Sequence, residues 1–163
     1  MPLARQREDA AIEALAGLVL EHPGDLLRQL RTDLHELLVD RGKIQHTDER
    51  IVQLETVGGC LSELFCENLR LSSGARLEFR IQLEQIQRGW LLRQFRFHVH
   101  LPHERDIGMV RIHLKPDTWH DPLAVPRCHL HVDNSQAHVP FPIMNPRLIL
   151  HLICERIEPD FGM

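Results

Sequence analysis

Over residues 76–84, Leu77, Phe79, Ile81 and Leu83 alternate with Arg76, Glu78, Arg80, Gln82 and Glu84. A step of two suits a strand and excludes a helix, because successive strand side chains leave on opposite faces. The step recurs three times. In residues 90–101, Leu91, Phe95, Phe97, Val99 and Leu101 share one side, and Gln94, Arg96, His98 and His100 share the other. Arg93 breaks this run, and Trp90 and Leu92 blur its start. In 109–115, Val110, Ile112 and Leu114 oppose Arg111, His113 and Lys115; in 127–132, Cys128, Leu130 and Val132 oppose Arg127, His129 and His131. Four such segments joined by short connections predict an antiparallel meander with one buried face.

Upstream, the apolar spacing is three and four, which predicts helices. One covers residues 5–22, with Ile12, Leu15, Leu18 and Val19, before His22-Pro23-Gly24 breaks it. A second carries Leu27, Leu30, Leu34, Leu37 and Leu38 and stops at Gly42. A third starts at Thr47, with Asp48 and Glu49 in its first turn, and places Ile51, Leu54, Val57, Leu61, Leu64 and Phe65 on one stripe. Gly58-Gly59 interrupts it, either splitting the helix or admitting a close neighbour. After the strands, Asn145 is an N-cap candidate, Pro146 fits the first helical position, and Leu148, Ile149, Leu152, Ile153 and Ile157 form a face. Helices, then a sheet, then a closing helix make an α+β chain. Its 163 residues suit one domain. Within it, residues 1–72 form a helical subregion and 75–163 the sheet with its helix.

A net charge of −4 argues against wholesale coating of DNA, yet leaves room for a local basic patch. No apolar run is long enough for a membrane-spanning helix. The first residues, "MPLARQREDAAIEAL", do not read as a signal peptide. Cys60, Cys66, Cys128 and Cys154 have no Cys-x-x-Cys spacing and read as reduced thiols of a cytoplasmic protein.

Nine of the twelve histidines lie between His98 and His151. The alternation makes His98 co-facial with His100 and His129 co-facial with His131. One sheet face then carries these four, His113, Arg80, Arg96, Arg111, Lys115 and Arg127, opposed by Glu78 and Glu84. Imidazoles titrate near neutral pH. His129 and His131, completed by His98, His100 or His113, can serve as base and acid on an RNA 2′-hydroxyl and its leaving 5′-oxygen. Arg96, Arg111, Lys115 and Arg127 can grip the phosphate. Such a reaction needs no metal. The plain alternative is a solvated polar face.

A His-ligated metal, zinc or another divalent ion, is a further reading. His98, His100 and Glu104 match the His-x-His-x3-Glu half of the cupin signature, and His129 and His131 offer an equivalent pair. The second cupin half-motif is absent, and the neighbouring arginines repel a cation. Nucleophile elbows and phosphate-binding glycine loops are missing.

The stretch "HLHVDNSQAHVPFPIMNPRLILHLI", residues 129–153, resembles the end of TumE-type toxins of bacterial toxin–antitoxin modules. The shared elements are His129-Leu130-His131, then Val139-Pro140-Phe141, then the leucine-rich segment 148–153. The resemblance covers roughly the last 70 residues and leaves the N-terminal helices unexplained. It implies toxicity or defence directed at nucleic acid, RNA more than DNA, and a cognate partner protein. Any family activity carries to His129 and His131 alone. The rival from another class is a non-catalytic subunit of a larger bacterial complex, docking nucleic acid or protein. The amphipathic N-terminal helices offer a face for homo-oligomerisation.

Overall fold

The computed structural model describes residues 19–39, 41–45, 51–87, 89–102, 107–115, 127–133, 135 and 137–157. Their elements are β1 (Val19–Leu20), α1 (Pro23–Val39), β2 (Gln53–Gly58), β3 (Leu61–Arg70), β4 (Arg76–Ile86), β5 (Gly89–His100), β6 (Met109–Leu114), β7 (Cys128–Val132), β8 (Val139–Pro140) and α2 (Pro146–Leu152). The architecture is α+β. An antiparallel sheet runs in chain order from β2 to β8. β1 pairs with β5 at Leu91 and Trp90, beyond the stretch of β5 that β6 occupies.

The four alternating segments are β4 to β7. The sheet is wider than four strands because β2 and β3 belong to it. The helix expected from Thr47 is therefore a hairpin over its described part, with Gly59 and Cys60 as its turn. Gly58-Gly59 marked that turn rather than a helix–helix contact. Burial on β3 alternates through Ser62, Leu64 and Cys66, then slips at a bulge before Leu69. The turn from β3 to β4 sits at the expected boundary near 72–74. It closes through Leu71 N–H to the Ala75 carbonyl (2.9 Å), with Gly74 at a positive φ of 94° that favours glycine. Among the described residues of 1–72, α1 is the helix and β1, β2 and β3 are strands. The expected helix at 5–22 lies mostly outside the described residues, and its described end includes strand β1.

A bulge also accounts for Arg93. In the β4–β5 ladder, Gln82 faces Gln94 but Leu83 faces Leu92, so Arg93 is the extra residue. Its side chain bonds Glu84 across the pair.

α1 buries Leu26, Leu30, Leu34 and Leu37 on one stripe. Gly42, in the left-handed region at φ 60°, follows its end, where Lys43 N–H caps the Leu37 carbonyl at 2.8 Å. α2 begins where the sequence predicts, with the Asn145 side chain accepting from Arg147 N–H at 2.9 Å. The α-helix is short, and a π-helical turn continues it over Ile153–Ile157. Ile149, Leu150, Ile153 and Cys154 join the α1 stripe and the apolar sheet face in one core. Phe79 stacks on Phe97 with centroids 5.2 Å apart, and Phe95 meets Phe97 edge-on at 5.7 Å.

The helices are also locked by charge. Arg147 donates to both Asp33 oxygens, at 2.7 and 2.9 Å, and His151 lies 3.6 Å from the same carboxylate. Asp33 is 4% exposed by side chain, whereas Arg147 is 38% exposed. Arg147→Ala strands a buried carboxylate and is expected to cost about 3 kcal/mol. Asp33→Ala leaves a guanidinium that reaches water and should cost only about 1–2 kcal/mol. Urea denaturation of both variants checks the asymmetry; equal losses would contradict it.

Candidate functional site

The apolar face packs on the helices, so the polar side chains of β3 to β7 share the opposite face. The register sets them in cross-strand rows. One row reads Phe65, Arg80, Arg96, His113 and His129, ending at Pro140 on β8. The next reads Glu78, His98, Arg111 and His131. On β5 and β6 an imidazole in one row neighbours a guanidinium in the other, and on β7 both rows carry imidazoles.

His98, His113, His129 and His131 converge, and His138 joins them from the segment before β8. Ring centroids lie 5.0 Å apart for His98–His113 and His113–His131, 5.5 Å for His113–His129 and 5.4 Å for His129–His131. His138 lies 4.8 Å from His129 and 5.1 Å from His131. The sequence reading missed His138, which stands on no periodic segment. His100 is co-facial as expected but lies off this cluster, 3.7 Å from a Glu78 oxygen. Glu104 lies outside the described residues.

Two rings of the cluster are buried, His129 at 1% and His131 at 7% exposed, while His98, His113 and His138 are half-buried. Burial and the neighbouring His98 and His131 push His113 down to about 3. Burial, then Arg111, pushes His131 down to about 4. Burial also lowers His98, against the pull of Glu78. These three imidazoles are therefore neutral at pH 7, which suits a base or a ligand and not a proton donor.

Hydrogen bonds fix the proton positions. His98 Nδ1 lies 3.2 Å from Glu78 Oε1, and His98 Nε2 lies 2.8 Å from His113 Nε2. A carboxylate accepts, so His98 carries its proton on Nδ1 and keeps a lone pair on Nε2. His113 must then donate from Nε2, which leaves the lone pair on its Nδ1.

The four cations expected to hold phosphate divide into two pairs. Arg111 donates to the Asp133 carbonyl, and Arg127, buried, donates to the Lys115 carbonyl at 2.9 Å. Both brace backbone beside the cluster. Arg96 and Lys115 instead line an open groove of about 340 Å³ with Arg80, Gln82 and Gln94, and His98 and His113 form part of its wall. Arg96 is exposed, with no hydrogen bond or ion pair to another described residue. Arg80 is held by Glu63 at 2.6 Å and lies over the Phe65 ring at 5.4 Å. A second hollow of about 290 Å³ shares Arg80, Arg96 and His98.

Among the described residues, two groups have ligand atoms close enough to share a metal ion: His113, His129 and His131, and Asp33, Glu36 and His151. In the second, Arg147 already occupies both Asp33 oxygens. The cysteines lie elsewhere: burial pushes the Cys66 and Cys128 thiols up to about 12, which suits core packing rather than nucleophilic work. No described helix is long and apolar enough to cross a membrane. No model of a protein family, curated protein or solved structure matches the chain.

Proposed function

We propose that the polar face acts on RNA phosphodiester bonds, making this a toxin-like or defence protein with a ribonuclease centre among its strand histidines. The observation that carries this reading is the juxtaposition of the Arg96 groove with His98 and His113 on its wall. Arg96, Arg80 and Lys115 supply positive charge for a phosphate. Phe65, under Arg80, offers an aromatic surface for a base.

His98 is the base in this reading. Its Nε2 lone pair accepts the 2′-hydroxyl proton as that oxygen attacks phosphorus, in place of the His113 N–H it now accepts. Glu78 holds the ring in the required tautomer, as a carboxylate does in hydrolytic dyads. A second group on the face returns a proton to the leaving 5′-oxygen. His129 and His131 pack against His113 and support the pair in this reading. The resemblance of residues 129–153 to TumE-type toxins supports a nucleic-acid target and a cognate partner protein.

Labelled RNA incubated with the purified chain tests the reading. His98→Ala should lower cleavage by about 100-fold or more with RNA affinity retained. Arg96→Ala should weaken RNA binding and reduce the slope of log affinity against log salt by about 1. Salt-dependent binding without turnover would favour the non-catalytic subunit. Absence of both would end the nucleic-acid reading.

A further inference from the structure

The histidine cluster holds more imidazole than one proton transfer uses. Three of its rings, His113 on the groove wall and His129 and His131 packed against it, stand on the paired strands β6 and β7, and the last two are buried. Their ligand nitrogens all lie within 4.8 Å of one another. Glu78 and His98 leave His113 with its lone pair on Nδ1, and that atom lies 3.5 Å from Nε2 of His131. A hydrogen bond of that length between ring nitrogens is poor. Two nitrogens on one tetrahedral zinc ion, each bonded at about 2.0–2.1 Å, lie roughly 3.3 Å apart. The pair is thus spaced as two ligands of a common ion.

We propose that His113, His129 and His131 bind one divalent transition-metal ion of the zinc class, with Glu78 and His98 orienting His113 toward it. Three imidazoles with a fourth position left for solvent or substrate is the arrangement of a catalytic rather than a structural zinc site. Imidazole donors select zinc, cobalt, nickel or copper over magnesium and calcium, which prefer oxygen. The Glu78–His98–His113 chain supplies the outer support that metal-bound histidines have, a carboxylate reached through hydrogen bonds. His138 packs beside both β7 rings, with centroids 4.8 Å from His129 and 5.1 Å from His131.

Arg111 and Arg127 carry charge that opposes a cation here, and one nitrogen of each donates to a backbone carbonyl, that of Asp133 and of Lys115 respectively. An ion at this place lies beside the groove because His113 belongs to both. It supplies positive charge next to a bound phosphate, which neutral imidazoles do not.

The full chain, purified without a histidine tag and stripped with a chelator, is titrated with Co²⁺ and then Zn²⁺ in the absence of RNA. One equivalent of Co²⁺ should bind with the intense visible bands of tetrahedral coordination, and Zn²⁺ should displace it. His131→Ala should lose the site, with affinity at least about 100-fold weaker, while His35→Ala on the exposed side of α1 leaves it unchanged. Glu78→Gln, at a partly exposed position, should retain the wild-type circular dichroism and weaken binding by about 10–100-fold. Failure to bind one equivalent, or His131→Ala with wild-type affinity and spectrum, overturns the proposal. Should His131→Ala not fold, Glu78→Gln decides, and unchanged affinity there overturns it. Since no RNA is present, these outcomes are independent of whether the chain cleaves phosphodiesters.

Discussion

Acidifying the metal-free chain from pH 7 to pH 4 is expected to strip it of several kcal/mol of stability. His113 and His131 are held near 3 and near 4 in the folded chain by burial and by neighbouring positive charge. In the unfolded chain both return to about 6.5. The folded state therefore binds fewer protons as pH drops below about 6.5. Their stabilisation is intact above that value. It is lost progressively down to about 4 for His131 and about 3 for His113. Each imidazole contributes a slope of up to about 1.4 kcal/mol per pH unit in its window, so the two together approach about 2.7. Urea midpoints measured across this range in the presence of a chelator check the slope. Replacing His131 with Gln should flatten the curve by about one imidazole's share. A stability that stays level from pH 7 to pH 4.5 would show that the rings are not held neutral.

Phe97→Ala is expected to cost about 3–5 kcal/mol. Phe97 is fully buried on β5, stacked on Phe79 and met edge-on by Phe95. Its register partners, Phe79 and Ile112, belong to the strands on either side, so removing the ring opens a void in the middle of the sheet's inner face. That loss is a large fraction of a typical domain's total stability, about 5–15 kcal/mol. Phe97→Leu keeps most of the volume and should cost about 1.5 kcal/mol or less. Denaturant titration separates the two, and similar losses would mean the site relaxes to close the cavity.

The strands that alternate cleanly were legible in the sequence. Leu77 to Leu83 and Val110 to Leu114 show the inner face directly, and the co-facial pairs His98/His100 and His129/His131 follow from the same rule. Hidden strands are those whose alternation is interrupted. β3 puts Ser62 inward and Glu67 and Asn68 outward together at its bulge, while Leu54, Val57, Leu61 and Leu64 fit helical spacing by coincidence. Only Gly58-Gly59 signalled a turn there. Facing is also not reach. Arg111 and Arg127 each donate to a backbone carbonyl, and of the four cations it is Arg96 and Lys115 that line the groove. The His98–His113 hydrogen bond depends on the β5–β6 register, which periodicity leaves undetermined.

His113, His129 and His131 all come from β6 and its neighbour β7, and their meeting depends on how those two strands are aligned. Sliding β7 by a single residue would turn Cys128, Leu130 and Val132 toward the rings of β5 and β6 and send both β7 imidazoles into the aliphatic interior. The three-ring cluster and the strand pairing therefore share one point of failure: misaligned strands lose the cluster as well as stability, and an ion clasped by all three rings, as proposed, would act as a proofreader of that alignment.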